Sequence, residues 1–167
     1  MKEIFQKYPN DQFVETGTYF GQGVESAIAA GFNKISTIEL SKVYYGMCRA
    51  KFGADYERIK LYYGDSGEIL GDVISKINTP ITFWLDGHYS GEETADSCPL
   101  MKELEHIKSH PINTHTILID DLRCWTKDQY GFDLDDVKNK LKEINPNYIF
   151  SYESKDKFKD DILVAKV

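Results

Sequence analysis

The chain reads as an α/β fold built on a mainly parallel sheet, and three features predict it. Short apolar runs alternate along its length with segments of helical spacing. Residues 81–85, ITFWL, are hydrophobic without a break, which marks a strand buried on both faces of a parallel sheet. This run and residues 116–119, TILI, both end in carboxylates, Asp86 in one case and Asp120 with Asp121 in the other, at the strand edge where α/β proteins place ligands.

The first strand falls at residues 12–16, and a glycine-containing turn leads to a helix over residues 23–30. Residues 34–40 form the second strand, followed by a helix over 41–52 with Ser41 as its N-cap. The third strand, residues 59–63, precedes a helix over 66–77, and ITFWL is the fourth strand. A longer helix is expected over 95–109, where Leu100, Leu104 and Ile107 share one face. After the fifth strand, 115–119, come a polar and aromatic loop and a helix over 134–144 that stops ahead of Pro146. Two further strands, 148–152 and 162–167, close the chain around the charged turn SKDKFKDD. No repeat, low-complexity tract or linker interrupts the series, so residues 1–167 are expected to form one domain around a single core.

Composition excludes several classes. With 27 acidic against 20 basic residues the net charge is −7, which argues against nucleic acid as a partner, since phosphates are met by clustered Lys and Arg. No stretch approaches the roughly 20 apolar residues of a membrane span, and the opening MKEIFQKYPN lacks a signal-peptide core, so a cytoplasmic location is expected. Cys48, Cys98 and Cys124 have no C-x-x-C spacing and offer neither a disulfide framework nor a zinc site.

Neighbouring strands lie about 4.8 Å apart, so Asp86, Asp120 and Asp121 can converge. Clustered anions repel unless something positive sits among them, and hard oxygen ligands suit Mg²⁺ or a similar cation. Asp86 as a simple helix cap is the alternative. At the end of the first strand, VETGTYFGQG (residues 14–23) places Gly17 and Gly21 where backbone N–H groups can approach a ligand, and Glu15 where a carboxylate can accept from an ammonium group. A tight turn alone would also use those glycines. Glu39, closing the second strand in STIELS, is expected as an exposed acid accepting from two ribose hydroxyls, as in dinucleotide-binding folds. Asp65 and Ser66 follow the third strand, where either also suits a helix N-cap.

The order of elements with its closing hairpin, the E-x-G-x-x-x-G loop, Glu39 and Gly64-Asp65-Ser66 together resemble the class I S-adenosylmethionine-dependent methyltransferases, over essentially the whole chain. The resemblance implies a Rossmann-like sheet of seven strands, order 3-2-1-4-5-7-6 with strand seven antiparallel, flanked by helices. It implies S-adenosylmethionine held by Glu15, Gly17, Thr18, Tyr19, Gly21, Glu39, Leu40, Asp65, Ser66 and Asp86, with Asp65 and Ser66 meeting the adenine amino group. Asp86 with Asp120-Asp121 looks like the metal-dependent O-methyltransferases, both the catechol type and the macrocin or mycinamicin sugar type, and implies Mg²⁺ or Mn²⁺ on the three carboxylates. The paired Asp is closer to the sugar group, whereas the continuation WLDGHYSGEETA departs from both patterns.

Transfer of a methyl group to oxygen needs a hydroxyl whose proton is weakened or removed. His88, two residues beyond Asp86, is the candidate general base, with an ordinary pKa near 6.5; ligation of the metal or a hydrogen bond to Asp86 are its alternatives. The acceptor site is expected to be open and walled by Tyr89, Arg123 and Trp125, with Trp125 either laid against a sugar ring or packed in the core. An acidic, aromatic-edged cleft suits a sugar or glycan acceptor such as a rhamnose-type deoxyhexose, and the chain as a domain of a larger glycan-assembly protein. A catechol-like acceptor stays open. So do a nicotinamide-dependent oxidoreductase sharing the loop and the ribose acid, and a non-catalytic binding module.

Overall fold

Seven strands, β1 (Gln12–Thr16), β2 (Ile35–Glu39), β3 (Ile59–Tyr63), β4 (Ile81–Leu85), β5 (Thr116–Ile119), β6 (Ile149–Lys155) and β7 (Phe158–Lys166), form one sheet in the order β3-β2-β1-β4-β5-β7-β6. In the computed structural model, which describes residues 1–55, 57–87, 98–155 and 157–167, β1 to β5 are parallel and β7 runs antiparallel to both β5 and β6. This is the strand order that the resemblance implied. The helices are α1 (Lys2–Phe5), α2 (Gln22–Ala30), α3 (Lys42–Phe52), α4 (Ser66–Ile74), α5 (Leu100–Lys108), α6 (Lys127–Tyr130) and α7 (Leu134–Ile144). No helix among the described residues is long and apolar enough to cross a membrane.

Strand β4 shows why an unbroken apolar run was needed. Its alternate residues Ile81, Phe83 and Leu85 enter a core shared with Leu70 and Ile74 of α4, Leu104 and Ile107 of α5, and Val137 and Leu141 of α7. Trp84 points the other way, into a second core with Phe5 of α1, Val24 and Ala27 of α2, and Cys48 and Phe52 of α3. Each fully buried side chain of this size contributes about 1.5–3 kcal/mol, so both faces of the central strands are held by packing rather than by propensity.

Several boundaries differ from expectation for identifiable reasons. Helix α5 starts at Leu100 with Pro99 at its N-cap, because proline's fixed φ and missing N–H suit a helix start; residues 95–97 of the expected helix lie outside the described residues. Helix α4 stops at Ile74, and Ile77 N then donates to Ile74 O in a tightened turn (2.9 Å). The short α1 was not anticipated; it delivers Ile4 and Phe5 to the core. The charged run 154–161 was expected to be a turn, yet most of it is strand: β6 continues to Lys155, which pairs with Phe158, across a register shift between Glu153 and Lys155. An edge hairpin tolerates charged side chains because one face remains in water, and a bulge turns the strand without ending it.

At the opposite end of the sheet from the strand-end carboxylates lies a buried histidine pair. His115 Nδ1 accepts from Ile81 N (3.1 Å), and His110 Nε2 faces the Ile77 carbonyl (3.0 Å), which can only accept. In the neutral rings this leaves His115 Nε2–H donating to His110 Nδ1 (3.1 Å). Burial, with its neighbour's charge, pushes His115 down to about 4. The unfolded chain takes up this proton near pH 6.5 and the folded one does not until about 4, so stability is intact above about 6.5 and falls as the pH drops through that window. The stability advantage of the wild type over His115→Gln, measured by urea unfolding, is expected to shrink between pH 7 and 4. A constant difference across that range would remove the neutral-pair account.

Candidate functional site at the carboxyl edge of the sheet

The hydrogen-bond ladder runs past the strand ends. Gly17 N donates to Ile38 O (3.0 Å), Gly64 N to Glu39 O (3.0 Å), Asp86 N to Thr16 O (3.2 Å) and Asp120 N to Leu85 O (3.1 Å). The loops therefore leave the sheet in register. The chain turns to opposite sides of β1, with β2 on one flank and β4 on the other, and this reversal opens a crevice at the carboxyl edge. A cavity of about 300 Å³ fills it, lined by Gly17, Tyr19, Glu39, Leu40, Asp65, Ser66 and Asp86 among the residues singled out from the sequence. Asp121, also singled out from the sequence, lines it as well, together with Tyr44, Gly87 and Pro99.

Gly17 shapes the mouth. Its φ is 80°, and a Cβ there would sit 2.4 Å from the carbonyl oxygen of Asp86, so only glycine permits the loop to pass this close. Glu39 is not the exposed acid expected. It is 6% exposed, and its carboxylate accepts from Tyr19 N and Ser41 N, both at 2.7 Å, tying the glycine loop to the start of α3. Each oxygen keeps a further lone pair, and Glu39 still faces the cavity. Substituting it would free two N–H groups, so Glu39 supports the fold as well as facing the cavity.

Glu15 is also corrected. It lies 1% exposed beneath the loop rather than in the cavity, in space that Gly23 leaves open: a Cβ on Gly23 would be 1.7 Å from Glu15 Oε1. Burial raises its carboxyl to about 8, opposed by the hydroxyl of Thr37 donating at 2.6 Å. Thr37 Oγ1 also shares a hydrogen bond with Thr18 Oγ1 (2.5 Å), extending the chain of hydroxyls beneath the loop. Thr18 and Gly21 accordingly support the loop from below without lining the cavity; Gly21 passes under the Phe52 ring.

On the adenine side of the expected arrangement, Asp65 caps α4 by accepting from Gly67 N (2.8 Å), and Ser66 Oγ donates to Glu103 (2.6 Å). Glu103 was missed, although it falls on the apolar face of α5 beside Leu100, Leu104 and Ile107, where an acid signals a buried partner. It is 1% exposed, and burial pushes it up to about 7.

Asp86, Asp120 and Asp121 offer ligand oxygens that all lie within 4.8 Å of one another. Consecutive strand residues point to opposite faces, and the left-handed turn at Asp121 (φ 62°) breaks that alternation so that both acids of the pair join Asp86. Burial, then the charge of Asp86, raises Asp120 to about 6, while Lys155 opposes the rise. Lys155 Nζ is ion-paired with Asp120 Oδ2, whereas Asp120 Oδ1 is buried with no hydrogen-bond partner among the described residues. The hard-oxygen set and this open carboxylate oxygen fit a divalent cation.

The residues expected to wall an acceptor are arranged differently. Trp125 is 7% exposed and packs against Phe132 (ring centroids 6.3 Å), so the core alternative holds and no stacking face is presented. Arg123 pairs with Asp121 (2.5 Å) and with buried Asp161, and its guanidinium lies over Phe158 (4.0 Å). His88 and Tyr89 lie outside the described residues.

No protein-family model matches the chain, and no curated protein matches its sequence. Solved structures do. The chain is similar to an O-methyltransferase from Bacillus cereus in complex with S-adenosylhomocysteine, at 14% identity, covering 99% of this chain and 78% of that one with a TM-score of 0.66. It is similar to the O-methyltransferase TomG from Streptomyces achromogenes, involved in tomaymycin synthesis and solved with S-adenosylmethionine, at 11% identity, 99% and 77% coverage and a TM-score of 0.65. A proposed rRNA methylase from Clostridium thermocellum matches at 15% identity, 99% and 95% coverage and a TM-score of 0.62. The shared feature is the Rossmann-like sheet of the methyltransferases, and at these identities it is the fold alone.

Two glycines test the reading of the loop. Gly17→Ala is expected to lower the urea midpoint strongly, since an αL residue costs roughly 1–2 kcal/mol before the clash with Asp86 is counted. Gly46→Ala, in α3 with open space around its Cβ, is expected to stabilise by about 0.5–1 kcal/mol. Equal effects at the two positions would contradict the close approach at Gly17.

Proposed function

We propose that this protein is an S-adenosylmethionine-dependent O-methyltransferase assisted by a divalent cation. One observation carries the reading: Glu39, Asp65, Ser66 and Asp86 line a single cavity at the carboxyl edge, and Asp86 and Asp121 of the acid cluster both face it. In this reading the ribose hydroxyls use the remaining lone pairs of Glu39. Ser66, whose proton is committed to Glu103, accepts from the adenine amino group. The methionine part lies along the Gly17 loop toward Asp86. A nicotinamide cofactor would leave the acid cluster without a role, which favours the methyl donor.

S-adenosylmethionine supplies an electrophilic methyl group, and a divalent cation supplies a Lewis acid that lowers the pKa of an acceptor hydroxyl. The protein's part is to hold and orient. Asp86, Asp120 and Asp121 would hold the ion, and the converging loops would keep the acceptor oxygen in line with the donor, where positioning alone is worth several kcal/mol. We assign His88 to take the hydroxyl proton, a role typically worth about 10²–10⁴ in rate.

The acceptor is proposed to present two adjacent oxygens, as a sugar diol does, with a rhamnose-type deoxyhexose in a glycoside or glycan as the first choice. The Asp120-Asp121 pair supports it. Burial of Trp125 removes the stacking face offered for a sugar and favours, as a second reading, a flat phenolic acceptor of catechol type. Assays over rhamnosides, other glycosides and catechols separate the two by which class gains a methyl group.

Calorimetry with S-adenosylhomocysteine is expected to show binding; absence of heat with both it and S-adenosylmethionine would end the methyl-donor reading. Methyl transfer should disappear in excess EDTA and return with Mg²⁺ or Mn²⁺. Asp120→Asn should lower turnover by at least the roughly 10–100-fold typical of perturbed metal sites, and full activity in EDTA would leave the three acids as structural counter-charges.

A further inference from the structure

Lys155 is the last residue of β6, on the far side of the sheet order from β1, and nothing in the local sequence marks it as a site residue. Its ammonium nevertheless reaches the acid cluster: Nζ pairs with Asp120 Oδ2 and lies over the Trp84 ring at 5.6 Å. The charges of Asp86 and Asp121 also act on it. Arg123, which also pairs with an acid of this cluster, is already shared between Asp121 and Asp161. Lys155 therefore counters Asp120 directly.

Its side chain is 28% exposed while that of Asp120 is fully buried. The lysine thus has a route to solvent, and the carboxylate does not. A four-carbon stem with a strongly hydrated head can leave such a contact without moving the backbone. A divalent cation is drawn to the same oxygens, and an ammonium left beside it would repel it.

We propose that Lys155 is an internal counter-ion that occupies the carboxylate site, and that a divalent cation binds by displacing its ammonium from Asp120. The inference rests on reading Asp86, Asp120 and Asp121 as ligands. Its consequence is a metal site set to be weak: the lysine keeps the three acids together without an ion, and the ion gains hold only by competing with it. An acceptor that adds two oxygens to the ion would tip that competition, coupling metal retention to acceptor binding.

The test is Mn²⁺ titration, read by electron paramagnetic resonance of the free ion, on the wild type, Lys155→Met and Lys155→Arg. Lys155→Met keeps the stem and removes the charge; it is expected to bind Mn²⁺ roughly tenfold tighter or more. Lys155→Arg, which keeps the charge, should bind no tighter than the wild type. Equal or weaker binding by Lys155→Met overturns the proposal, as does Mn²⁺ binding by none of the three. If circular dichroism shows Lys155→Met unfolded, Lys155→Gln, which can still hydrogen-bond Asp120, takes its place with the same expected direction. Calorimetry with S-adenosylhomocysteine on the same samples separates the two readings. Binding of that ligand without any Mn²⁺ effect sinks the lysine proposal and leaves the methyl-donor reading standing; a charge-dependent Mn²⁺ effect without nucleoside binding does the reverse.

Discussion

The backbone hydrogen bonds that extend past the ends of β1, β4 and β5 are the constraint on which the rest of the carboxyl edge depends. Thr16 O holds Asp86 N, and Leu85 O holds Asp120 N, so acids that are 34 positions apart in sequence begin side by side. The same continuation fixes Gly17 against Ile38. From there a Cβ has no space, because the Asp86 carbonyl passes 2.4 Å from where it would be. The crevice is thus made by strand register, and the side chains facing it inherit their spacing from the sheet.

That spacing is electrostatically demanding, and the fold meets the demand with fixed donors. Glu39 is held by two backbone N–H groups, Glu103 by Ser66, and Glu15 by a chain of two threonine hydroxyls. Asp161, 4% exposed, accepts from both the backbone N–H and the guanidinium of Arg123. Removing one member of a buried charged pair leaves the other uncompensated, typically at about 3–5 kcal/mol, which exceeds what any single surface ion pair returns. The acids at this edge are consequently part of the structure as well as candidates for chemistry, and Glu39 both ties two loops together and faces the cavity.

Much of this was legible in the sequence because it is local. The apolar runs located β1, β3 and β4 at their observed bounds, and the acids that end β4 and β5 gave away the cluster, since an anion at a buried strand end needs an explanation. What was not legible is long-range. Glu15 was assigned by its place in the glycine motif and Glu39 by closing the second strand, and burial depends on what packs over them: Gly23 opens the space for one, and the Tyr19 and Ser41 amides close over the other. Trp125 looked like a platform because its neighbours are polar, while its ring is held by Phe132. Lys155 sits in a run whose composition reads as a solvated turn; only the antiparallel return of β7 beside β5 brings the hairpin to Asp120.

If this edge holds a nucleoside thioether and a divalent cation next to each other, anomalous diffraction at the manganese edge from crystals grown with S-adenosylhomocysteine and Mn²⁺ will show both. One anomalous peak is expected, enclosed by Asp86, Asp120 and Asp121, with the ribose of the ligand against Glu39. Nucleoside density elsewhere on the molecule, or a manganese peak away from these three carboxylates, would contradict it.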